Sequence, residues 1–91
     1  MFGLGNRPPY EELKQPITGF GLTAQGELRI TFQQAGPLDF TCDPGRRSDY
    51  LQLLAVAKQT QTPVMVQFER KINVFTMEKL PAGELRALEL M

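Results

Sequence analysis

Apolar and polar residues alternate along several short stretches of this chain, and one longer stretch carries helical spacing. Leu28, Ile30 and Phe32 point one way while Arg29, Thr31 and Gln33 point the other, which predicts a half-buried strand. Just before it, Phe20, Leu22 and Ala24 alternate with Gly19, Gly21 and Thr23, and Gln25-Gly26 supplies a turn. The two segments are therefore expected to pair as a hairpin. Glycines at 19 and 21 mark a strongly bent strand or a close approach of another backbone. Gln34-Ala35-Gly36-Pro37 is the next turn. A third strand follows, with Leu38, Phe40 and Cys42 alternating with Asp39, Thr41 and Asp43, and it stops at Pro44-Gly45.

The helical stretch comes next. Tyr50, Leu53, Leu54 and Ala57, with Leu51 and Val56 beside them, form a wide apolar face. Ser48 or Asp43 can cap the helix. Pro63 disfavours helical geometry just before it, so the helix should end near Thr60. Val64, Val66 and Phe68 then define a fourth strand over 64–69. Arg70-Lys71 reads as a tight turn into a fifth strand, Ile72 to Glu78, whose two candidate inward faces are Ile72 with Val74 and Phe75 with Met77. Pro81-Ala82-Gly83 ends it. Glu84 to Met91 has helix-forming composition, with Leu85 and Leu88 three apart, but is too short to stand without docking; the pattern leaves helix and strand both open. Shared phase on each element puts Leu28, Ile30, Phe32, Leu38, Phe40, Leu53, Leu54, Val64, Val66 and Phe68 inside. Residues 1–15 show no apolar periodicity and are punctuated by Gly3, Gly5, Pro8 and Pro9, with Pro16 following; they are expected to be a flexible tail ahead of a single domain over 16–91.

Three strands, a helix and two strands is an order that resembles the OB-fold, a five-stranded Greek-key barrel with its helix between strands three and four. The resemblance covers Ile17 to Glu78 and is carried by that order and by the helix-turn-strand phrase LLAVAKQTQTPVMVQFE. It implies a mostly β domain, a small barrel with one internal helix. A ubiquitin-like β-grasp, with Leu38 to Cys42 as a minor strand, is the second choice. An SH3-like barrel is disfavoured by the long helix. The OB architecture hosts many unrelated tasks, so it does not choose a function.

Composition narrows the chemistry. The chain has 91 residues, the size of one domain. Ten basic and ten acidic side chains cancel, which argues against long-range attraction to a polyanion. Histidine is absent, which removes the commonest general base and metal ligand. Cys42 is the single cysteine, so no internal disulfide forms. No apolar run approaches the ~18 residues needed to span a bilayer, and the N-terminus lacks the charged start of a signal peptide. A cytoplasmic, soluble protein is expected.

No motif carries catalysis or binds a cofactor. Gly19-Phe20-Gly21-Leu22-Thr23-Ala24 has the spacing of a dinucleotide loop, but a turn and a strand follow where a helix must open. Asp39, Thr41 and Asp43 share a strand face, yet three oxygen side chains are few for a hard cation, and Gly45 and Tyr50 break the calcium-loop spacing. Cys42 is in phase with the core, where it behaves as a small hydrophobe. Ser48, the only serine, has no histidine to activate it. Pro8-Pro9-Tyr10 lacks the spacing of a polyproline ligand. Two basic pairs remain, Arg46-Arg47 on the loop entering the helix and Arg70-Lys71 on a hairpin tip. Of the phenylalanines on the expected strands, Phe20 and Phe75 are the two not assigned to the core. These six residues form the candidate binding surface. The expectation is a non-catalytic, cofactor-free interaction module that docks on a protein partner or on itself. The alternative is a weak single-stranded nucleic-acid binder, using the basic pairs for phosphate and the two aromatics for stacking.

Overall fold

The computed structural model describes residues 11–70 and 83–91. Its elements are β1 (Glu11–Gln15), β2 (Ile17–Leu22), β3 (Leu28–Phe32), β4 (Gly36–Thr41), α1 (Pro44–Thr60), β5 (Val64–Glu69) and β6 (Gly83–Leu90). The described residues are mostly β with one helix. The strands form one six-stranded sheet in the order β1-β5-β6-β4-β3-β2. Neighbours are antiparallel except β4 and β6, which pair parallel through Phe40–Gly83 and Thr41–Glu84.

The sheet has to roll up. β1 and β2 stand at its opposite ends, yet Pro16 alone separates them in the chain. A flat sheet of this width would hold its end strands about 24 Å apart, at about 4.8 Å per spacing. Gln15 and Ile17 can be no more than about 7 Å apart. The edges must therefore converge at Pro16. That junction is tied to the β3–β4 turn, where the Gln33 amide donates to the Pro16 carbonyl at 2.9 Å. The Gln34 and Ala35 amides donate to the Gln15 side-chain oxygen at 3.1 and 3.0 Å. The edges do not pair with each other as strands.

The inward face of this roll is the core. Leu28, Ile30, Phe32, Phe40, Leu54, Val64, Val66 and Phe68 are buried as their phase predicts, and Leu38 and Leu53 pack against them half-buried. Tyr50 and Ala57 from α1 complete the cluster together with Leu85 and Leu88 from β6. Phe40 and Phe68 meet edge to face, with ring centroids 5.1 Å apart, the arrangement that ring quadrupoles favour. Val56 faces solvent. α1 packs against β2 and β6. Its N-cap is Asp43, whose carboxylate accepts from the Gly45 amide at 3.0 Å, and Pro44 takes the first turn, where its missing N–H is not needed. Pro44-Gly45 thus opens the helix, where the sequence suggested a gap between strand and helix, and Ser48 lies inside it. The C-cap Gln61 adopts the left-handed conformation, its amide bonding back to the last turn.

One expectation changes and one open choice closes. Residues 11–15 are not part of a tail. Glu11–Gln15 is a strand on β5, with Leu13 opposite Val66. It lacked periodicity because Leu13 is its one apolar side chain against the core; residues 1–10 lie outside the described residues. The terminal segment is not a helix, since Gly83–Leu90 is a strand. Phe68 faces Leu85 and Val66 faces Leu88 across a register shift. A one-residue bulge at Arg86 thus turns a spacing of three on β6 into a spacing of two on β5. The strand expected over Ile72 to Glu78 lies outside the described residues.

Candidate binding surface

The sequence singled out six residues, and the structure describes four of them, Arg46, Arg47, Arg70 and Phe20. Arg46 and Arg47 lie in the first turn of α1 and not on a loop before it, because Asp43 caps the helix ahead of them. Phe20 is not an open stacking ring. It packs half-buried against the core, opposite Ile30. Lys71 and Phe75 lie outside the described residues.

Arg70 closes β5. Its guanidinium makes a two-pronged contact with the Glu11 carboxylate at the start of β1. It also stands 5.9 Å from the Phe68 ring centroid. The hydrogen bond from Arg70, aided by its charge, holds the Glu11 carboxyl below its ordinary value near 4.5. A carboxyl with a depressed folded pKa adds stability above its unfolded value and loses it as pH falls through the folded one. The melting difference between wild type and Glu11→Gln is therefore expected to be fully developed at neutral pH and to shrink as pH falls below about 4.5. A difference that does not change with pH would mean that the pair contributes nothing. Both partners are half exposed, so the effect should be small.

The same pairing recurs across the outer face of the sheet. Arg29 on β3 grips Asp39 on β4 with both prongs, at 2.7 and 3.0 Å. The two face each other across the ladder. Arg86, the bulged residue of β6, contacts Glu69 on β5 and reaches Glu84 at 3.0 Å. Lys14 on β1 lies 3.4 Å from Glu12, and the Gln67 amide reaches the same Glu12 at 3.4 Å. Each described cation on or next to a strand thus has a carboxylate partner. Bidentate arginine pairs fix geometry as well as charge, and they occupy the donors that a phosphate would use.

The helix cations are different. Arg46 has its pKa raised, chiefly by a hydrogen bond to Tyr50. Arg47 extends toward the β2–β3 turn at Gly26, and its Nε is buried without a hydrogen-bond partner among the described residues. The Asp39-Thr41-Asp43 face is dismantled by other duties, since Asp39 pairs with Arg29 and Asp43 caps α1. Among the described residues no cluster of three potential metal ligands occurs. Cys42 is half-buried against the core. No helix among the described residues is long and apolar enough to cross a membrane. What the sequence missed is the carboxylate set Glu11, Asp39, Glu69 and Glu84. Asp39 could have been found by counting across the Gln34–Pro37 turn, and Glu84 stands two residues from Arg86; Glu11 and Glu69 depend on long-range pairing. No protein-family model, curated protein or solved structure matches this chain.

Proposed function

We propose that the protein is a small non-catalytic interaction module of the cytoplasm, built on an OB-fold-like barrel, whose partner is another protein or a second copy of itself. The barrel reading rests on the bend at Pro16. β1 and β2 act as the two halves of one strand, shared between β5 and β3, so the ring of neighbours runs from that strand through β3, β4, β6 and β5 back to it. With β1 and β2 counted as one, three strands, a helix and two strands remain.

One observation carries the functional reading: the cations of the outer sheet are already paired with carboxylates of the same sheet. A track for a polyanion needs unpaired Lys and Arg, with exposed aromatics for stacking. The described phenylalanines instead belong to the core or pack against it. A neutral, hydrogen-bonding surface suits a protein contact, whose rim is polar and whose specificity comes from complementary charge.

The nucleic-acid reading keeps one specific support, the Arg46-Arg47 pair, neither of which forms a described salt bridge with a carboxylate. Fluorescence anisotropy of a labelled single-stranded oligonucleotide separates the two. Phosphate contacts make affinity fall steeply between about 50 and 200 mM salt. We expect no saturable binding at either salt. Tight binding that falls with salt, and that weakens when Arg46 and Arg47 are neutralised, would replace the first reading by the second.

A further inference from the structure

β2 stands at one end of the sheet order and, among the described residues, pairs on one side only, with β3. The hairpin fixes which of its backbone groups are used. The Thr23 amide donates to the Glu27 carbonyl, so by the alternation of an antiparallel ladder Gly21 and Gly19 also turn their groups toward β3. Phe20 and Leu22 turn theirs the other way, to an edge that no strand among the described residues covers. Natural edges are commonly guarded by charge or proline. β1, at the other end of the sheet, carries Glu11, Glu12 and Lys14, whereas ITGFGL in β2 carries no charge. Leu22 is 50% exposed at this edge, and Phe20 beside it is only half-buried.

We propose that β2 is a dimerisation edge, pairing antiparallel with β2 of a second copy about a twofold axis at Gly21. This rests on the interaction-module reading and names its partner. The edge complements itself. With Gly21 on the axis, Phe20 faces Leu22 of the second copy and Leu22 faces its Phe20. The groups turned away from β3 then meet in two hydrogen-bonded pairs, with the unbonded glycine pair between them where antiparallel strands come closest. Each exposed Leu22 side chain is covered by the phenylalanine opposite. A closed twofold contact of this kind uses the same patch on both copies and stops at two. A charged peptide would gain nothing from a strand without charge, so a second copy is the better fit. The contact is small against that of a stable dimer, and association should depend on concentration.

Gly21 also provides the test. A Cβ there meets nothing within 4 Å, and its φ is not positive, so side chains at this position are tolerated in the single chain. Across the axis, like charges would stand directly opposite and repel. Sedimentation of the full chain is expected to show dimer forming as concentration rises. Gly21→Glu and Gly21→Lys should each stay folded and monomeric, with Gly21→Lys melting slightly lower because Arg29 stands opposite it on β3, and an equimolar mixture of the two should recover the dimer. Hydrogen exchange on wild type gives a check independent of any variant: the Phe20 and Leu22 amides should become protected as concentration rises, and the Val56 amide should not respond. A wild type that stays monomeric throughout overturns the proposal. So do charge variants that both still dimerise, or Phe20 and Leu22 amides that exchange freely in a dimer; in those last two cases self-association, and with it the interaction-module reading, survives through another surface.

Discussion

Phe32→Ala is expected to destabilise the protein by about 3–5 kcal/mol, the usual cost of emptying an aromatic from a packed core. Phe32 is 1% exposed. It sits at the end of β3, opposite Ile17 on one side and Gly36 on the other, where the roll of the sheet brings both edges together. A domain this size has a total stability of about 5–14 kcal/mol, so the variant should melt at least about 12 °C below wild type. Melting within a few degrees of wild type would show that Phe32 does not fill the core.

Gly83→Ala should be nearly as damaging, for a different reason. Gly83 is buried where β6 begins beside β4 and β5. A Cβ at this position would run into the carbonyl group of Glu69 and press on the Arg70 backbone. Those atoms are main chain in a paired strand and cannot swing aside. Overpacking of this kind costs about 1–3 kcal/mol or more, and here it also pulls apart the start of the β5–β6 ladder. Gly21→Ala is the matched control, since its Cβ would meet nothing. Thermal melts of the two variants should differ sharply. Equal melting would mean that β5 and β6 do not approach as described.

Where local pattern and tertiary structure agree, the sequence is easy to read. β5 begins and ends at the residues its alternation marks, because every second side chain is buried and Pro63 fixes its start. The helix ends at Thr60 for the same proline. Reading fails where a strand departs from period two. Leu85 and Leu88 look helical because the bulge at Arg86 inserts one residue, and a bulge shows only once the partner strand is known. β1 is invisible because one apolar residue in five makes no pattern. The candidate surface follows the same divide. Arg29 and Asp39 are ten apart across a short turn. Arg70 and Glu11 are 59 apart, and nothing local links them. Arg70, read from the sequence as half of an available basic pair, is thus already matched with an acid by the fold.

That neutralisation is the centre of the account, and removing it tests it most directly. Asp39→Asn and Glu11→Gln together release Arg29 and Arg70 without changing the shape of either partner. Oligonucleotide anisotropy should then show weak, salt-sensitive binding in the double variant, with a slope of about one unit for each phosphate that a released arginine neutralises. The unmodified protein should show none at about 50 mM salt, where phosphate binding is strongest. A tight, salt-steep complex in the unmodified protein, left unchanged by the two substitutions, would contradict it.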